Sequence, residues 1–319
     1  MVLYKNRAQA IVYDFADKFF DRNRKVIIPA NVCESIPLTY QKMKIPYEIV
    51  DIDKDTLSID MKQIEKKLNM SEENYQAIHY VCTYGNSYDV NLSYLLGLRE
   101  KYNVKIILDK CLCMPEIEFN KTVLIDMELY STGYSKCIDF GIGGYAFIND
   151  MYAKEIKPVR LNYIKEDYDK MKLLIKQNDW SHIASLNWLE SYNLTDIETY
   201  ISNIKKQYYM VLEHKSRLND IYRNIIPSNF ILPDKFNVWR FNIRLSNSEY
   251  VEKKIFENEG LFASRHYKPI TLNENNVQKC DNAEKLYSQI MNLFNDFHYD
   301  DEKAEKTARI IKEYGILYE

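Results

Sequence analysis

"AIHYVCTYGNSYDVNLSYLLGLREKYNVKIILD", residues 77–109, decides the fold. It opens on an apolar run that reaches Cys82 and passes through a stretch rich in turn formers around Gly85, Asn86 and Asp89. From Leu92 its apolar residues recur at spacings of three and four, and it closes on a second apolar run, "VKIILD". Short apolar runs bounded by turn residues read as strands, and the three-four spacing reads as a helix. Strands joined through a helix must lie parallel, with helices covering the sheet.

The same alternation continues outward. "KVIIPA" (25–30), "YEIVDID" (47–53) and "TVLIDMELYS" (122–131) are strand-like, and "IDMKQIEKKLN" (59–69) is helical. The expectation is an α/β fold with a mostly parallel central sheet flanked by helices. In such sheets ligands bind beyond the carboxyl ends of the strands. Attention therefore falls on Pro29 to Cys33, Cys82 to Gly85, Asp109 to Cys113 and Ser131 to Lys136.

Beyond residue 151 the pattern changes. "EDYDKMKLLIKQ" (166–177) and the long stretch 194–226 read as amphipathic helices. After them, strand-like "NVWRFNIRLS" (237–246) mixes with helical "EYVEKKIFENEG" (249–260), "AEKLYSQIMNLF" (283–294) and "DEKAEKTARIIKEYG" (301–315). A chain of 319 residues exceeds the size at which single cores usually stop growing. The expected division is a large α/β domain over 1–180, then a bridging helix and a small α+β domain over 181–319.

Composition excludes several classes of function. The 43 basic and 46 acidic residues are scattered along the chain, leaving no basic face for nucleic acid. The N-terminus, "MVLYKNRAQA", is charged by its fifth residue and lacks a secretory signal, and no apolar run approaches a membrane span. The expected location is the cytoplasm, with small molecules as partners. The six cysteines, at 33, 82, 111, 113, 137 and 280, form no C-x-x-C pair. Cys111 and Cys113 stand where they could approach Cys82, but reduced, buried thiols are the expectation, with no metal.

Lys136 lies in "LYSTGYSKCIDFGIGGYAFIND" (129–150), five residues after Ser131 and just before Gly141, Gly143 and Gly144. The bland reading is a solvated loop lysine. The chemical reading is an amine projected at the sheet's carboxyl edge, where partial burial or a nearby cation favours the neutral, nucleophilic form. The cofactor that most often uses such a lysine is pyridoxal phosphate (PLP), which also needs a carboxylate beside its ring nitrogen. Asp109, at the end of "KIIL", is the candidate; its bland reading is a cap or turn aspartate.

On these residues the chain resembles the PLP-dependent sugar aminotransferases of the DegT/DnrJ/StrS type, a branch of the aspartate aminotransferase fold (fold type I). The likeness runs through "VIIPANVCESIPLTYQKMKIPYEIVDIDKDTLSIDMKQIEKKL" (26–68), the unit ending at Asp109, and "STGYSKCIDFGIGGYAFIND" (131–150). It continues through "NEGLFASRHYKPI" (258–270) and the stretch 280–314.

The resemblance implies that Lys136 is the Schiff-base lysine, that Asp109 pairs with the ring nitrogen and that Ser131 binds phosphate. It further implies that the amides of Ala8 and Gln9 hold phosphate and that Cys33 covers one face of the ring. His266 and Tyr267 are possible substrate contacts; a surface His and a packed Tyr are the alternatives.

Several positions depart from the family. Its Ser-Gly-Thr-Ala phosphate loop appears as "NRAQA" (6–10), without a hydroxyl, where Arg7 is either a substitute cation or a surface residue. Leu112 stands where Gln or His bonds the ring hydroxyl. Ser191 and Asn193 of "ESYNLTDIE" (190–198) stand where the partner subunit supplies Asn-x-Arg. The chain also begins later than is usual in the family.

The implied activity is amino transfer from an amino acid, glutamate, to a keto-sugar, nucleotide-linked, in surface polysaccharide or secondary-metabolite synthesis. The implied assembly is a homodimer with shared sites. The alternatives are other PLP chemistry on a small substrate, or a non-catalytic member. Lysine rather than histidine at 136 argues against the family's dehydratase branch.

Overall fold

The computed structural model describes residues 1–152, 154–272 and 279–318. Its first half contains β1 (Val2–Lys5), α1 (Ala8–Phe19), β2 (Lys25–Pro29), α2 (Ser35–Lys42), β3 (Tyr47–Val50), α3 (Met61–Ser71), β4 (Tyr75–Val81), α4 (Leu92–Tyr102), β5 (Lys105–Asp109), β6 (Met127–Ser131) and β7 (Gly144–Ile148). These seven strands form one sheet in the order β1-β7-β6-β5-β4-β2-β3. Pairing is parallel from β6 through β5, β4 and β2 to β3, and β7 runs antiparallel to both β6 and β1. Only β7 is reversed, so the sheet is mostly parallel, as the alternation of strands and helices required.

β4 is buried at all seven positions, which is how a strand reads when helices cover both faces. Its polar members are satisfied: Gln76 donates to the carbonyls of Asp21 and Arg24 and accepts from the Asp21 amide at 2.6 Å. Helix starts are set by short polar side chains. Asp60 accepts from the Lys62 and Gln63 amides at the head of α3, and Asn91 from the Tyr94 amide at the head of α4. Asn103, in the left-handed region at φ +49, ends α4 and turns the chain into β5.

The remainder contains α5 (Lys165–Lys176), α6 (Ile197–Ile225), β8 (Phe241–Arg244), α7 (Ser248–Glu259), α8 (Asp281–Gln289), β9 (Ile290–Leu293) and α9 (Asp301–Tyr314). β8 and β9 form a separate antiparallel pair. α6 spans the two sheets: Tyr200, Ile204 and Val211 pack with Tyr145 and Phe147 of the large sheet, whereas Leu218 and Tyr222 pack with Phe241 and Ile243 of the small one.

Two expectations change. The helical reading of 283–294 holds only to Gln289; Ile290–Leu293 are extended because their buried backbone pairs with β8. Thr122–Asp126 are not part of β6, which begins at Met127. β1 was not among the elements read from sequence. Among the described residues no helix is long and apolar enough to cross a membrane.

Candidate active site

The segments that follow β2 and β6 meet the start of α1 around one cavity. That helix reaches the site because β7 begins with a glycine: a Cβ at Gly144 would lie 2.6 Å from both the N and Cα of Ala8. Backbone cannot yield at that distance, so the absent side chain is what lets the first turn of α1 seat on the sheet. The α1 amides of Ala8 and Gln9 are left unpaired there, as at any helix start.

Two adjoining cavities result. The larger, about 330 Å³, is lined by Arg7, Ala8, Gln9, Cys33, Ser131 and Lys136, together with Tyr163, Tyr168, Trp188 and Glu190. The second, about 220 Å³, shares Cys33, Glu34, Tyr134 and Lys136 and adds Trp239, Arg265, His266, Tyr267 and Lys268. Half-buried Lys136 thus stands at the junction, and its amine has no hydrogen-bond or ion-pair partner among the described residues. Of the residues named from sequence, Ala8, Gln9, Cys33, Ser131 and Lys136 gather on the first cavity, and His266 and Tyr267 join Cys33 and Lys136 on the second.

Asp109 lines neither cavity. It lies beneath them at the end of β5, buried, with its carboxylate accepting from the Cys111 amide at 2.8 Å and from His79 Nε2 at 3.2 Å. His79 sits on β4 with its ring on the same face as Asp109, two residues back in the parallel register. Its Nδ1 meets the Tyr40 hydroxyl at 2.8 Å. Burial alone would push the Asp109 carboxyl up, but the His79 ring and the Cys111 amide outweigh it and hold the acid below its ordinary value. Tyr40 is pushed well above the usual phenol range, by burial first and Asp109 second, so it remains a hydroxyl donor. With Tyr40 donating to Nδ1, the ring proton sits on Nε2 and points at Asp109.

The wall of the second cavity is aromatic. Trp239 stacks with Tyr84 (ring planes 7° apart) and with Tyr267 (14°), and its indole N–H donates to the Ser135 carbonyl at 2.6 Å, one residue before Lys136. The Trp239 carbonyl is itself held by the buried Lys215 ammonium at 2.7 Å. His266 has a buried Nδ1 without a partner among the described residues. Burial, then Arg240 and Lys136, push His266 down to about 4, so it is a neutral imidazole at physiological pH. Burial raises the Cys33 thiol, with Glu34 adding to the rise and Lys136 opposing it.

The departures from the family pattern acquire places. Arg7 donates through Nε to Glu190 (3.2 Å) and through Nη1 to the Gly141 carbonyl (2.7 Å). Ser191 is buried and structural: its hydroxyl accepts from the Leu161 amide at 2.8 Å and its carbonyl takes the Lys5 ammonium at 3.1 Å. Asn193 bridges to Lys5 through the backbone. Leu112 is buried, and its carbonyl accepts from the Cys137 thiol at 3.3 Å. All six cysteines are free thiols, and among the described residues no group of three or more His, Cys, Asp or Glu is placed to hold a metal. Sequence reasoning missed His79, Tyr40, Trp239 and Glu190; the one available signal was a histidine inside a mostly apolar central strand.

The arrangement fits an anionic aromatic aldehyde. One end offers helix amides, Ser131 and a guanidinium for a phosphate, and the middle an amine without a partner among the described residues, while a buried carboxylate held below its ordinary value stands at the end of β5, outside the cavity lining. Comparison with known proteins agrees. The DegT/DnrJ/EryC1/StrS aminotransferase family matches residues 20–312, and the chain belongs to it. This is a family of enzymes, and its cofactor is pyridoxal phosphate.

Three solved structures share the fold. An aminotransferase of this family from Brucella abortus is 15% identical, with a TM-score of 0.71, covering 98% of this chain and 86% of that one. Spr1654 of Streptococcus pneumoniae, described as a sugar aminotransferase and solved in a PLP form, is 16% identical, with a TM-score of 0.72 and coverage of 98% and 85%. DesI, solved with its TDP-sugar product, is 14% identical, with a TM-score of 0.75 and coverage of 98% and 80%. Among the curated proteins nothing matches the sequence.

Proposed function

We propose that this enzyme moves an amino group from glutamate to a nucleotide-linked keto-sugar, in the cytoplasm, as a step toward a surface polysaccharide or secondary metabolite. The observation that carries the reading is Lys136: an unpaired, half-buried amine where the two cavities meet, with Asp109 held ionised behind it. Support for the acceptor comes from DesI, whose structure holds a TDP-sugar product, and from the description of Spr1654. We take the large domain to span 1–180 and the bridging helix with the small domain 181–319, and the working unit to be a homodimer.

Bound PLP supplies an electron sink that makes the carbon bearing the amino group acidic. The chain's own residues do the rest. Lys136 Nζ would hold the cofactor's aldehyde and would serve as the base that takes and returns the proton at the substrate carbon. Asp109, oriented by His79, would keep a proton on the ring nitrogen. Ala8, Gln9 and Ser131 would hold the phosphate, and Cys33 would pack on the ring. Tyr267, Trp239 and neutral His266 form the acceptor-side wall, and the indole bond to Ser135 fixes the loop that carries Lys136. Arg265, paired with Glu252 at 3.0 Å, and Lys268 line that cavity beside Glu34, and Lys268 is the cation it offers to a diphosphate-bearing acceptor.

The test is a single-turnover assay. PLP-loaded enzyme is treated with L-glutamate, and 2-oxoglutarate is measured. A panel of TDP- and UDP-linked 4-keto sugars is then added, and aminated sugar is sought by mass spectrometry. One equivalent of 2-oxoglutarate followed by an aminated nucleotide sugar is expected. Aminated free sugars alone would overturn the nucleotide-linked acceptor, and no 2-oxoglutarate would overturn glutamate as donor.

A further inference from the structure

We propose that Arg7 is the chain's own phosphate-binding cation and that Glu190 is the carboxylate that competes for it before the cofactor arrives. The inference rests on the cofactor reading of the larger cavity and adds two residues to it.

Three cations line that cavity: Arg7, Lys136 and Lys172. Lys136 is needed for the aldehyde, and Lys172 is exposed on α5. Arg7 is the one held in place, with Nη1 on the Gly141 carbonyl and its guanidinium 5.5 Å from the centre of the Tyr134 ring. Its Nη2 carries no partner among the described residues.

The position of Gly133 shows where these donors converge: a Cβ built there would lie 3.4 Å from Ser131 Oγ and 3.9 Å from Arg7 Nη1. Hydroxyl and guanidinium therefore flank one point, beside the start of α1, whose first turn has no acidic residue. The loop "NRAQA" offers no hydroxyl to a phosphate, and Ser191 is consumed by the Leu161 amide. Arg7 supplies the missing donors, and a guanidinium binds phosphate in forked geometry.

Glu190 meets the other side of the same group, with Oε2 3.2 Å from Arg7 Nε and Oε1 accepting from Asn6 at 2.9 Å. It also lines the cavity, so its charge opposes a dianion entering there. Binding PLP must therefore redistribute Arg7 between carboxylate and phosphate. Pyridoxal, which lacks the phosphate, is indifferent to both residues.

The experiment is an equilibrium titration of apo-enzyme with PLP and, separately, with pyridoxal, read by the absorbance that depends on Lys136. Wild type, Arg7→Gln, Arg7→Lys and Glu190→Gln are compared. Arg7→Gln is expected to weaken PLP about 10- to 100-fold, the worth of a hydrogen bond to a charged group, and to leave pyridoxal unchanged. Arg7→Lys should fall between, and Glu190→Gln should tighten PLP alone. The pyridoxal titration also shows that each variant is folded. Equal effects on PLP and pyridoxal, or none on either, would overturn the role of Arg7, and weaker PLP binding by Glu190→Gln would overturn the competition. If wild type gives no Lys136-dependent band with either aldehyde, the cofactor reading itself fails and takes this inference with it.

Discussion

Replacing Lys5 with methionine should cost this protein much of its stability, and the cost should depend on pH. The Lys5 ammonium lies 2.7 Å from the Asp14 carboxylate with only 2% and 1% of the two side chains exposed. It also holds the Ser191 carbonyl at 3.1 Å, and Asp14 accepts from the Val159 amide at 2.9 Å. The pair therefore ties β1, α1 and the segments around 159 and 191 into one joint beside Glu190.

Removing one member of a buried pair strands the other, at about 3–5 kcal/mol. With an unfolding entropy of roughly 2 cal/mol/K per residue, that corresponds to a melting temperature lower by about 4–8 °C for a chain of this length. The Asp14 carboxyl already sits above its ordinary value because burial outweighs Lys5; without Lys5 it should climb further. A carboxyl raised in the folded state favours folding at low pH, and that contribution is lost as pH rises through its folded value. The deficit of Lys5→Met should thus be smaller at pH 5 than at pH 8, and Lys5→Met/Asp14→Leu should recover most of it. Denaturant unfolding followed by circular dichroism at both pH values measures this. A loss under about 1 kcal/mol, or an equal loss at both pH values, would refute the reasoning.

Three further outcomes follow from the site. His79→Phe removes a donor to the Asp109 carboxylate, so turnover should fall about 10- to 100-fold with cofactor still bound; the acid limb of the pH–rate profile should shift upward, which a purely structural role would not cause. Gly144→Ala forces a Cβ against the backbone of Ala8, and should destabilise the protein by about 1–3 kcal/mol while weakening PLP more than pyridoxal in the same titrations. His266, pushed down to about 4, favours folding when neutral; that stability is complete above about pH 6.5 and is lost as pH falls toward 4, so His266→Gln should flatten the acid side of the stability curve.

The central sheet was legible because β2, β4, β5 and β6 are almost wholly buried and, as far as β5, the apolar runs alternate with helices. β1 escaped because four residues, "VLYK", carry too little pattern, and their pairing partners lie about 140 residues away. The end of α8 was misread because Ile290, Met291 and Leu293 suit a buried helix as well as a strand; only pairing with β8 decides between them. Lys136 and Asp109 could be named because turn chemistry and strand ends mark the carboxyl edge. His79, Glu190 and Trp239 could not, since each acts through a neighbour distant in sequence: 30 residues for His79 and Asp109, 183 for Arg7 and Glu190, and 104 for Trp239 and Ser135.

The most direct test of the account is to load the enzyme with PLP, reduce it with borohydride, digest it and locate the phosphopyridoxyl group by mass spectrometry. The account predicts one modified residue, Lys136, and no modification in Lys136→Ala. Modification of another lysine, or equal labelling of the variant, would contradict it.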